Sequence, residues 1–275
     1  MQKRKFEKAY ENDHFLRSSD ARIIRIISEY LEPKQRLHRE KVRDTIVFFG
    51  SARSIPVLEA QNMLNKLAKK NGGNQNTQEF RKAKKKLLLA KYYEDARELA
   101  RRLTEWSHSL DHGSRFIICS GGGPGMMEAA NRGAAEAGGK SIGFNISIPM
   151  EQDSNSYITP ELNFDFHYFF MRKFWFVYLS KALVIFPGGF GTMDEMFEVL
   201  TLVQTKKLHK EISVVIYGRE YWESIINFQK FVEWGTISEE DLKLIQIADS
   251  VDEAFSMLTG YLQEKILNRE KFWSL

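Results

Sequence analysis

The chain has 275 residues, of which 43% are hydrophobic and 28% charged, with a formal net charge of +4 at pH 7. That composition is ordinary for a globular protein, and the length suffices for one large α/β domain or two small ones. No apolar stretch approaches the length that spans a bilayer, and the charged N-terminal segment lacks a signal-peptide pattern. The single cysteine, Cys119, excludes an intramolecular disulfide and a cysteine-based zinc site. We therefore expect a cytoplasmic protein without a membrane partner.

The positive charge is concentrated in short runs such as Lys69-Lys70 and Lys84-Lys85-Lys86. A nucleic-acid-binding surface is one interpretation of such runs. These runs lie in aromatic-poor helical segments beside a loop, which is more typical of a solvated helix face. Nucleic acid is therefore not the expected partner.

Predicted elements follow one another regularly along the chain. Residues 1–44 predict one or two added helices, because apolar residues between Ala21 and Leu31 recur at helical spacing. Beyond them, short apolar runs typical of buried parallel strands alternate with helical patterns. The predicted strands are Thr45–Gly50, Arg115–Ser120, Ser141–Ile146, Ala182–Phe186 and Ile212–Tyr217. The predicted helices are Lys91–Trp106, Gly125–Ala137, Tyr168–Lys181, Thr192–Thr205, Tyr221–Glu233 and Val251–Asn268.

This alternation predicts an α/β fold with a doubly wound parallel sheet and helices on both faces. We divide the chain into an N-terminal helical extension, residues 1–44, and a main domain, residues 45–268. Residues 57–90 form an insertion in the first crossover. Its middle, residues 71–78, is rich in Gly, Asn and Gln and predicts a loop between two basic helical arms.

Glycine-rich segments follow three of the predicted strands: Gly50–Arg53 (GSAR), Ser120–Gly125 (SGGGPG) and Pro187–Thr192 (PGGFGT). In an open α/β sheet, ligands bind beyond the carboxyl ends of the strands. Glycine lets the backbone approach an oxyanion, and the helix that follows offers unpaired N–H groups and a positive dipole end. A single such turn is often only a tight connection. Two of them at neighbouring strand ends favour a phosphate site.

The two longer loops also limit the kind of phosphate compound. The P-loop motif is absent, because Gly191 rather than a lysine precedes Thr192. The dinucleotide motif G-x-G-x-x-G is absent too, since Met126 and Asp194 occupy its third glycine positions. The acidic residue expected for a dinucleotide ribose is also missing. A monophosphate is therefore a better prediction than NAD or ATP.

Two charged residues near these loops each have two interpretations. Thr192 and Glu195 match a helix capping box, T-x-x-E. Alternatively, Glu195 stabilises an oxocarbenium-like transition state on a phosphorylated ribose, or orients the attacking water. Arg172 lies in an otherwise apolar helical stretch, which predicts burial. It either contacts a substrate or forms an interface salt bridge. Spacing alone leaves both choices open.

The motifs resemble those of a known family. Ser120–Gly139 (SGGGPGMMEAANRGAAEAGG) and Pro187–Glu195 (PGGFGTMDE) are similar to the GGGxxGxM and PGGxGTxxE motifs of the Lonely Guy (LOG) family. The Arg172-Lys173 pair matches the Arg-Lys pair of the helix between them. The resemblance implies a Rossmann-like homodimer or higher oligomer with phosphoribohydrolase activity. Such enzymes convert AMP, or an N6-substituted cytokinin nucleotide, to the free base and ribose 5-phosphate.

Roles for individual residues follow from the same resemblance. Arg172 and Glu195 correspond to the catalytic pair. The residues implied to bind substrate are Gly188, Gly189, Gly191 and Thr192 for the phosphate, and Ser51, Gly122 and Gly123 for the nucleotide pocket.

No metal or cofactor requirement is visible in the sequence. An older family label, lysine decarboxylase, does not suit this chain, because that chemistry usually needs pyridoxal phosphate on a lysine and neither Gly-rich loop contains one. Molybdenum-cofactor carrier proteins resemble this fold as well. A nonenzymatic nucleotide or cofactor carrier is therefore the alternative function.

Overall fold

The computed structural model describes residues 7–70, 74–110, 115–147, 153–208 and 210–268. Seven parallel strands form one sheet in the order β4-β3-β2-β1-β5-β6-β7. The strands are β1 (Thr45–Phe49), β2 (Ile117–Ser120), β3 (Ser141–Ile146), β4 (Asn163–Phe166), β5 (Ser180–Ile185), β6 (Ser213–Tyr217) and β7 (Ile245–Ala248). The α-helices are α1 (Asp13–Arg17), α2 (Arg22–Arg39), α3 (Val57–Lys70), α4 (Gln78–His108), α5 (Met126–Glu136), α6 (Phe169–Tyr178), α7 (Phe190–Gln204), α8 (Arg219–Ile225), α9 (Phe228–Glu233) and α10 (Val251–Leu262).

The strand order reverses in the middle of the sheet. The chain runs outward from β1 to β4, and α6 then carries it back to β5 on the other side of β1. The reversal between β1 and β5 is a topological switch point, where the connections leave in opposite directions and open a crevice at the carboxyl edge. The prediction of an α/β fold with a doubly wound parallel sheet and helices on both faces is confirmed.

The sheet separates two hydrophobic layers. Side chains alternate along β1, so that Ile46 and Phe48 face one layer while Val47 and Phe49 face the other. The first layer is closed by α4, α5 and α10, and the second by α2, α6 and α7. Because both faces are covered, the central strands are apolar along their whole length, as the sequence pattern indicated.

The predicted N-terminal helices are present as α1 and α2, while residues 1–6 lie outside the described residues. Leu37 of α2 is buried, and Ile26 and Tyr30 pack against the layer that contains α6. The apolar residues that defined the sequence pattern face solvent instead, with exposed fractions between 44% and 69%. Those residues are Ile23, Ile24, Ile27 and Leu31.

The insertion forms a helical hairpin of α3 and α4. The first predicted arm is α3. The second arm is not separate, because it continues into the predicted Lys91–Trp106 helix as one helix of 31 residues. Thr77 begins this helix by accepting a hydrogen bond from the Phe80 N–H at 3.2 Å. Residues 71–73 of the predicted loop lie outside the described residues. No helix in the described ranges is long and apolar enough to cross a membrane.

The structure adds two strands to the prediction and corrects two predicted helices. Strands β4 and β7, at the two edges of the sheet, were not predicted from the sequence. The predicted Tyr168–Lys181 helix ends at Tyr178, because Ser180 already begins β5. The predicted Tyr221–Glu233 helix is two helices, since the Asn227 side chain accepts a hydrogen bond from the Lys230 N–H and starts α9.

Candidate functional site

Three glycine-rich loops meet at the switch point through Ser51. Its N–H donates to the Pro187 carbonyl at 2.9 Å, and its carbonyl accepts from the Met126 N–H at 3.0 Å. These bonds join the loops after β1, β5 and β2. Gly125 has φ +74°, and an added Cβ there would lie 2.4 Å from the Ser51 carbonyl oxygen. Only glycine fits at this crossing.

The loop after β5 leads into a helix N-terminus without a side-chain cap. Helix α7 begins at Phe190, and its N-cap residue, Gly189, supplies no side-chain hydrogen bond. An added Cβ on Gly189 or Gly191 would meet no atom within 4 Å, so this turn borders open space. The Gly188 carbonyl points away from it and accepts a hydrogen bond from the Tyr221 hydroxyl at 2.6 Å. Exposed first-turn N–H groups with a positive dipole end suit an anion.

The capping-box interpretation of Glu195 is wrong. Because α7 begins at Phe190, Thr192 is its third residue rather than its N-cap, and Glu195 lies in the second turn. The Thr192 side chain packs on the loop instead, so that an added Cβ on Gly188 would lie only 2.1 Å from the Thr192 hydroxyl oxygen. Glu195 therefore has no part in starting the helix.

Glu195 and Arg172 form a buried pair of opposite charge. Glu195 is 5% exposed, and one of its carboxylate oxygens lies 3.9 Å from Nη2 of Arg172. Burial raises the pKa of Glu195 to about 7, an effect that the cations Lys173 and Arg172 offset only in part. Burial also lowers the pKa of Arg172. Among the described residues, the buried Nε of Arg172 has no hydrogen-bond partner. A long ion pair with an unused donor is the arrangement expected of groups that bind a ligand.

Lys173, the neighbour of Arg172, is used differently. Its ammonium lies 2.7 Å from the Asp194 carboxylate and 2.8 Å from that of Glu198. Both acids are on α7, so this pair of contacts fixes α6 against α7 next to the Arg172–Glu195 pair. The sequence does not distinguish Arg172 from Lys173. In the structure Lys173 is paired with two carboxylates, whereas the Nε of Arg172 has no partner among the described residues.

A polar network that sequence reasoning missed holds the loop after β2. The side-chain amide nitrogen of Asn155 lies 2.9 Å from the Gly122 carbonyl, 3.1 Å from the Gly123 carbonyl and 3.0 Å from Oδ1 of Asn131. Asn131 is fully buried and also accepts from the Ser120 hydroxyl at 2.6 Å. Asn155 lies in an irregular segment without a motif, so no sequence signal marked it.

The structure places all nine predicted site residues at the carboxyl edge of the sheet or in the first two turns of α6 and α7. Arg172 lies next to Glu195, and Gly188 packs against Thr192. The backbone of Ser51 is hydrogen-bonded to the loop after β5. Gly122 and Gly123 lie on the neighbouring loop after β2. Their roles in binding and catalysis stay predictions.

Other features lie away from this edge. A cavity of about 360 Å³, lined in part by His108, Arg115 and Lys140, is at the amino-terminal edge of the sheet where β2 and β3 begin. In the described ranges, no group of three or more His, Cys, Asp or Glu residues could hold a metal ion.

The open parallel sheet and the glycine-rich loops at its switch point define a Rossmann-like α/β protein, with a helix N-terminus at the carboxyl edge that suits an anion. The family model described as "Possible lysine decarboxylase" matches residues 127–258. Together with the relatives below, this match shows that the chain is similar to the lysine-decarboxylase-like proteins of the LOG family.

Named relatives include two from Arabidopsis thaliana. The cytokinin riboside 5'-monophosphate phosphoribohydrolase LOG1 is 28% identical over 164 residues, covering 58% of this chain and 75% of that protein. The cytokinin riboside 5'-monophosphate phosphoribohydrolase LOG3 is 27% identical over 148 residues, covering 53% of this chain and 67% of that protein. Among solved structures, the Moco carrier protein from Chlamydomonas reinhardtii has a TM-score of 0.46 at 19% identity, covering 81% of this chain and 99% of that one.

Proposed function

We propose that the protein is a nucleoside 5′-monophosphate phosphoribohydrolase. It hydrolyses the N-glycosidic bond of AMP or an N6-substituted AMP to give the free base and ribose 5-phosphate. The observation that carries this proposal is the buried Arg172–Glu195 pair beside the uncapped N-terminus of α7. The names of the LOG relatives support the reaction class.

In this proposal the phosphate binds at the N-terminus of α7. The first N–H groups of the helix donate to its oxygens, and the helix dipole favours its charge. The Thr192 hydroxyl is a further donor from the same turn. Since Gly189 and Gly191 border open space, a phosphate can approach the backbone there without meeting a side chain. Binding the phosphate at this point fixes the ribose for the reaction at C1′.

Glu195 acts on the charge that develops when the glycosidic bond breaks. The ribosyl carbon becomes positive as the base leaves, and a carboxylate in a buried site stabilises that charge strongly. Water then adds its hydroxyl to C1′, while its proton balances the departing base. Only the ionised carboxylate can do this, and the pKa of Glu195 is about 7. We therefore expect kcat/KM to rise with pH through neutrality.

Arg172 is proposed to hold the base or to help it leave. Its Nε donor is buried without a described partner, and its guanidinium group lies 5.4 Å and 5.5 Å from the ring centres of Phe169 and Phe176. Those rings limit where the guanidinium group can move. A planar cation held in this way can donate to a ring nitrogen of the base as negative charge develops on it.

We also propose that the protein forms a homodimer or a higher oligomer through α2 and α6. Aromatic residues on α6 are unusually exposed, with 54% of Phe170 and 45% of Tyr178 accessible to solvent. The exposed isoleucines of α2 belong to the same side of the sheet. An apolar area spread over two helices is typical of a protein interface. Light scattering after size-exclusion chromatography gives the oligomeric state directly. The division into an extension, residues 1–44, and a catalytic domain, residues 45–268, is part of the same proposal.

The test is chromatography of free base after the pure protein is incubated with each common nucleoside monophosphate. The variants Glu195→Gln and Glu253→Gln are assayed beside the wild type. Glu253 is the control, because it caps α10 far along the chain from the site. We expect base release from one or two substrates, and a loss of about 10²–10⁴-fold in Glu195→Gln alone.

Full turnover by Glu195→Gln would contradict the proposed mechanism. No base release from any substrate, with a nucleotide retained by the protein, would instead support the carrier alternative.

A further inference from the structure

The N-terminal helix α2 contributes the cap of α6. The Glu29 carboxylate accepts a hydrogen bond from the His167 N–H at 2.8 Å and another from the Tyr168 N–H at 3.2 Å. Tyr168 is the N-cap residue of α6 and supplies no side-chain cap of its own. A carboxylate at this end also interacts favourably with the helix dipole. The start of α6 is therefore held by a residue that lies more than 130 positions earlier in the chain.

A second contact holds α2 along the next turns of α6. The Glu29 carbonyl accepts a hydrogen bond from the Trp175 indole N–H at 2.9 Å. The neighbouring Tyr30 ring lies 5.8 Å from the Trp175 ring and 5.7 Å from the Phe174 ring, centre to centre. Trp175 is almost fully buried, so its indole N–H needs this acceptor. Glu29 thus binds α6 through both its side chain and its backbone.

Arg172 lies in the first turn of α6, directly between these two contacts. Its backbone N–H donates to the Tyr168 carbonyl at 3.2 Å, so its position depends on the residue that Glu29 caps. We infer that Glu29 is a positioning residue, which sets the Arg172 guanidinium group against Glu195. This inference rests on the proposed function, in which that pair is catalytic. It assigns the N-terminal helix a part in the reaction rather than only in stability.

The other end of α2 supplies a matched control. Arg36 donates from Nη1 to the Asn163 carbonyl at 2.8 Å, and its guanidinium group lies 4.1 Å from the centre of the Phe164 ring. Both partners are on β4, before the turn that leads to α6. Removing Arg36 weakens the attachment of α2 to the domain without touching the start of α6. A general loss of stability can thus be separated from a loss of position.

The pH dependence of kcat/KM is sensitive to the position of Arg172, because Arg172 lowers the pKa of Glu195. The charged groups that act on Glu195 are Lys173 and Arg172 on α6, which lower its pKa, and Glu198 and Asp194 on α7, which raise it. Both cations are on α6, and Glu29 on α2 touches neither acid of α7. If the first turn of α6 loosens, Arg172 moves away from Glu195 and its carboxylate becomes harder to ionise. A purely structural role for Glu29 would lower the amount of folded protein but leave the profile in place.

The experiment compares the full-length wild type with Glu29→Ala, Glu29→Gln and Arg36→Met. The kcat/KM for the preferred nucleoside monophosphate is measured from about pH 5.5 to about pH 9, a range that brackets neutrality. We expect the acid limb of Glu29→Ala to move to higher pH by about 0.5–1 unit, part of the 1–3 units that an adjacent cation contributes. Glu29→Gln, which keeps one acceptor oxygen, should lie between. Arg36→Met should reduce stability and leave the limb unchanged.

Amide hydrogen exchange is measured on the same proteins. Glu29→Ala should speed the exchange at residues 167–172 more than Arg36→Met does. The inference is overturned if Glu29→Ala changes neither the acid limb of the kcat/KM profile nor the amide exchange at residues 167–172. It is also overturned if Arg36→Met shifts the acid limb as much as Glu29→Ala does. If the wild type releases no base, the proposed function fails. The exchange measurement then still decides whether Glu29 holds the start of α6.

Discussion

Two helices of this protein carry nearly the same four-residue motif close to their N-termini and use it in opposite ways. Ser250-Val-Asp-Glu253 starts α10, where the Ser250 hydroxyl accepts from the Glu253 N–H at 3.2 Å and the Glu253 carboxylate accepts from the Asp249 N–H at 2.9 Å. Thr192-Met-Asp-Glu195 has the same pattern, but it lies inside α7 and forms neither bond. Helix α7 starts at Phe190, two residues before Thr192, and its N-cap residue Gly189 leaves the first turn without a side-chain cap.

The difference shows that a capping motif predicts a cap only where the chain before it is a normal helix entry. At α10 the acidic side chain is exposed and satisfies the backbone. At α7 the acidic side chain is buried, and its pKa of about 7 indicates a cost to its ionisation. A residue kept at such a cost is a candidate for function rather than for stability.

The largest effect on the free energy of unfolding is expected when Glu195 and Glu253 are each replaced by glutamine. The pKa of Glu195 rises from its usual 4.5 to about 7 on folding, so the native state binds more protons than the unfolded state within this window. Stability contributed by Glu195 is therefore lost as pH rises from 4.5 to 7. Urea unfolding of Glu195→Gln should show a gain of about 1–3 kcal/mol over wild type at pH 8, and little difference near pH 5.

Glu253→Gln should instead lose about 0.5–1 kcal/mol at pH 8, because a cap bond to a charged group is weakened. A loss of stability in both variants would mean that Glu195 supports its helix after all.

Removing the hydroxyl group of Ser250 or Thr192 is expected to change the free energy of unfolding by less. Ser250→Ala should lower the free energy of unfolding by about 1 kcal/mol, since it removes the N-cap of α10. Thr192→Val should change it by less, because Thr192 caps nothing. Its effect should appear in phosphate affinity, measured by calorimetry with ribose 5-phosphate. Equal losses of stability without a change in affinity would contradict the difference between the two helices.

The smallest effect comes from a matched pair of glycines. An added Cβ on Gly191 in α7 or on Gly260 in α10 would meet no atom within 4 Å. Each Gly→Ala variant should therefore gain about 0.5–1 kcal/mol, as is usual for a helix position without strain. Only Gly191→Ala should raise KM, because its methyl group would occupy the space proposed for the phosphate. An unchanged KM would place the phosphate elsewhere.

The sequence predicted the central strands well and the edge strands poorly, for a physical reason. Strands β1, β2, β5 and β6 are buried on both faces, so they appear as continuous apolar runs. β4 (NFDF) and β7 (IQIA) each have only partial burial, because one side of an edge strand lacks a neighbour. Four residues of alternating character are too short a pattern to recognise beside turn-forming residues.

The candidate site was predictable where motifs carry it. The glycine-rich loops were placed by their position after strands, and the structure puts all of them at one edge of the sheet. The choice between cap and buried pair for Glu195 was not predictable, since it depends on where α7 begins and on Arg172, which lies 23 positions earlier. The contact of Glu29 with α6 had no signal at all, because no spacing rule links residues so far apart.

The hydrogen bonds of Asn155 orient the peptide groups of the loop after β2. They turn the carbonyls of Gly122 and Gly123 toward the protein, and a trans peptide then points the Gly123 N–H the opposite way. That N–H has no partner among the described residues, and Pro124, which follows, has no N–H to offer. Two carbonyl oxygens of the loop are thus occupied by the Asn155 amide. In the proposed function this leaves less negative backbone charge facing a bound oxyanion, so one amide side chain far from any motif favours an anion over a cation at this loop.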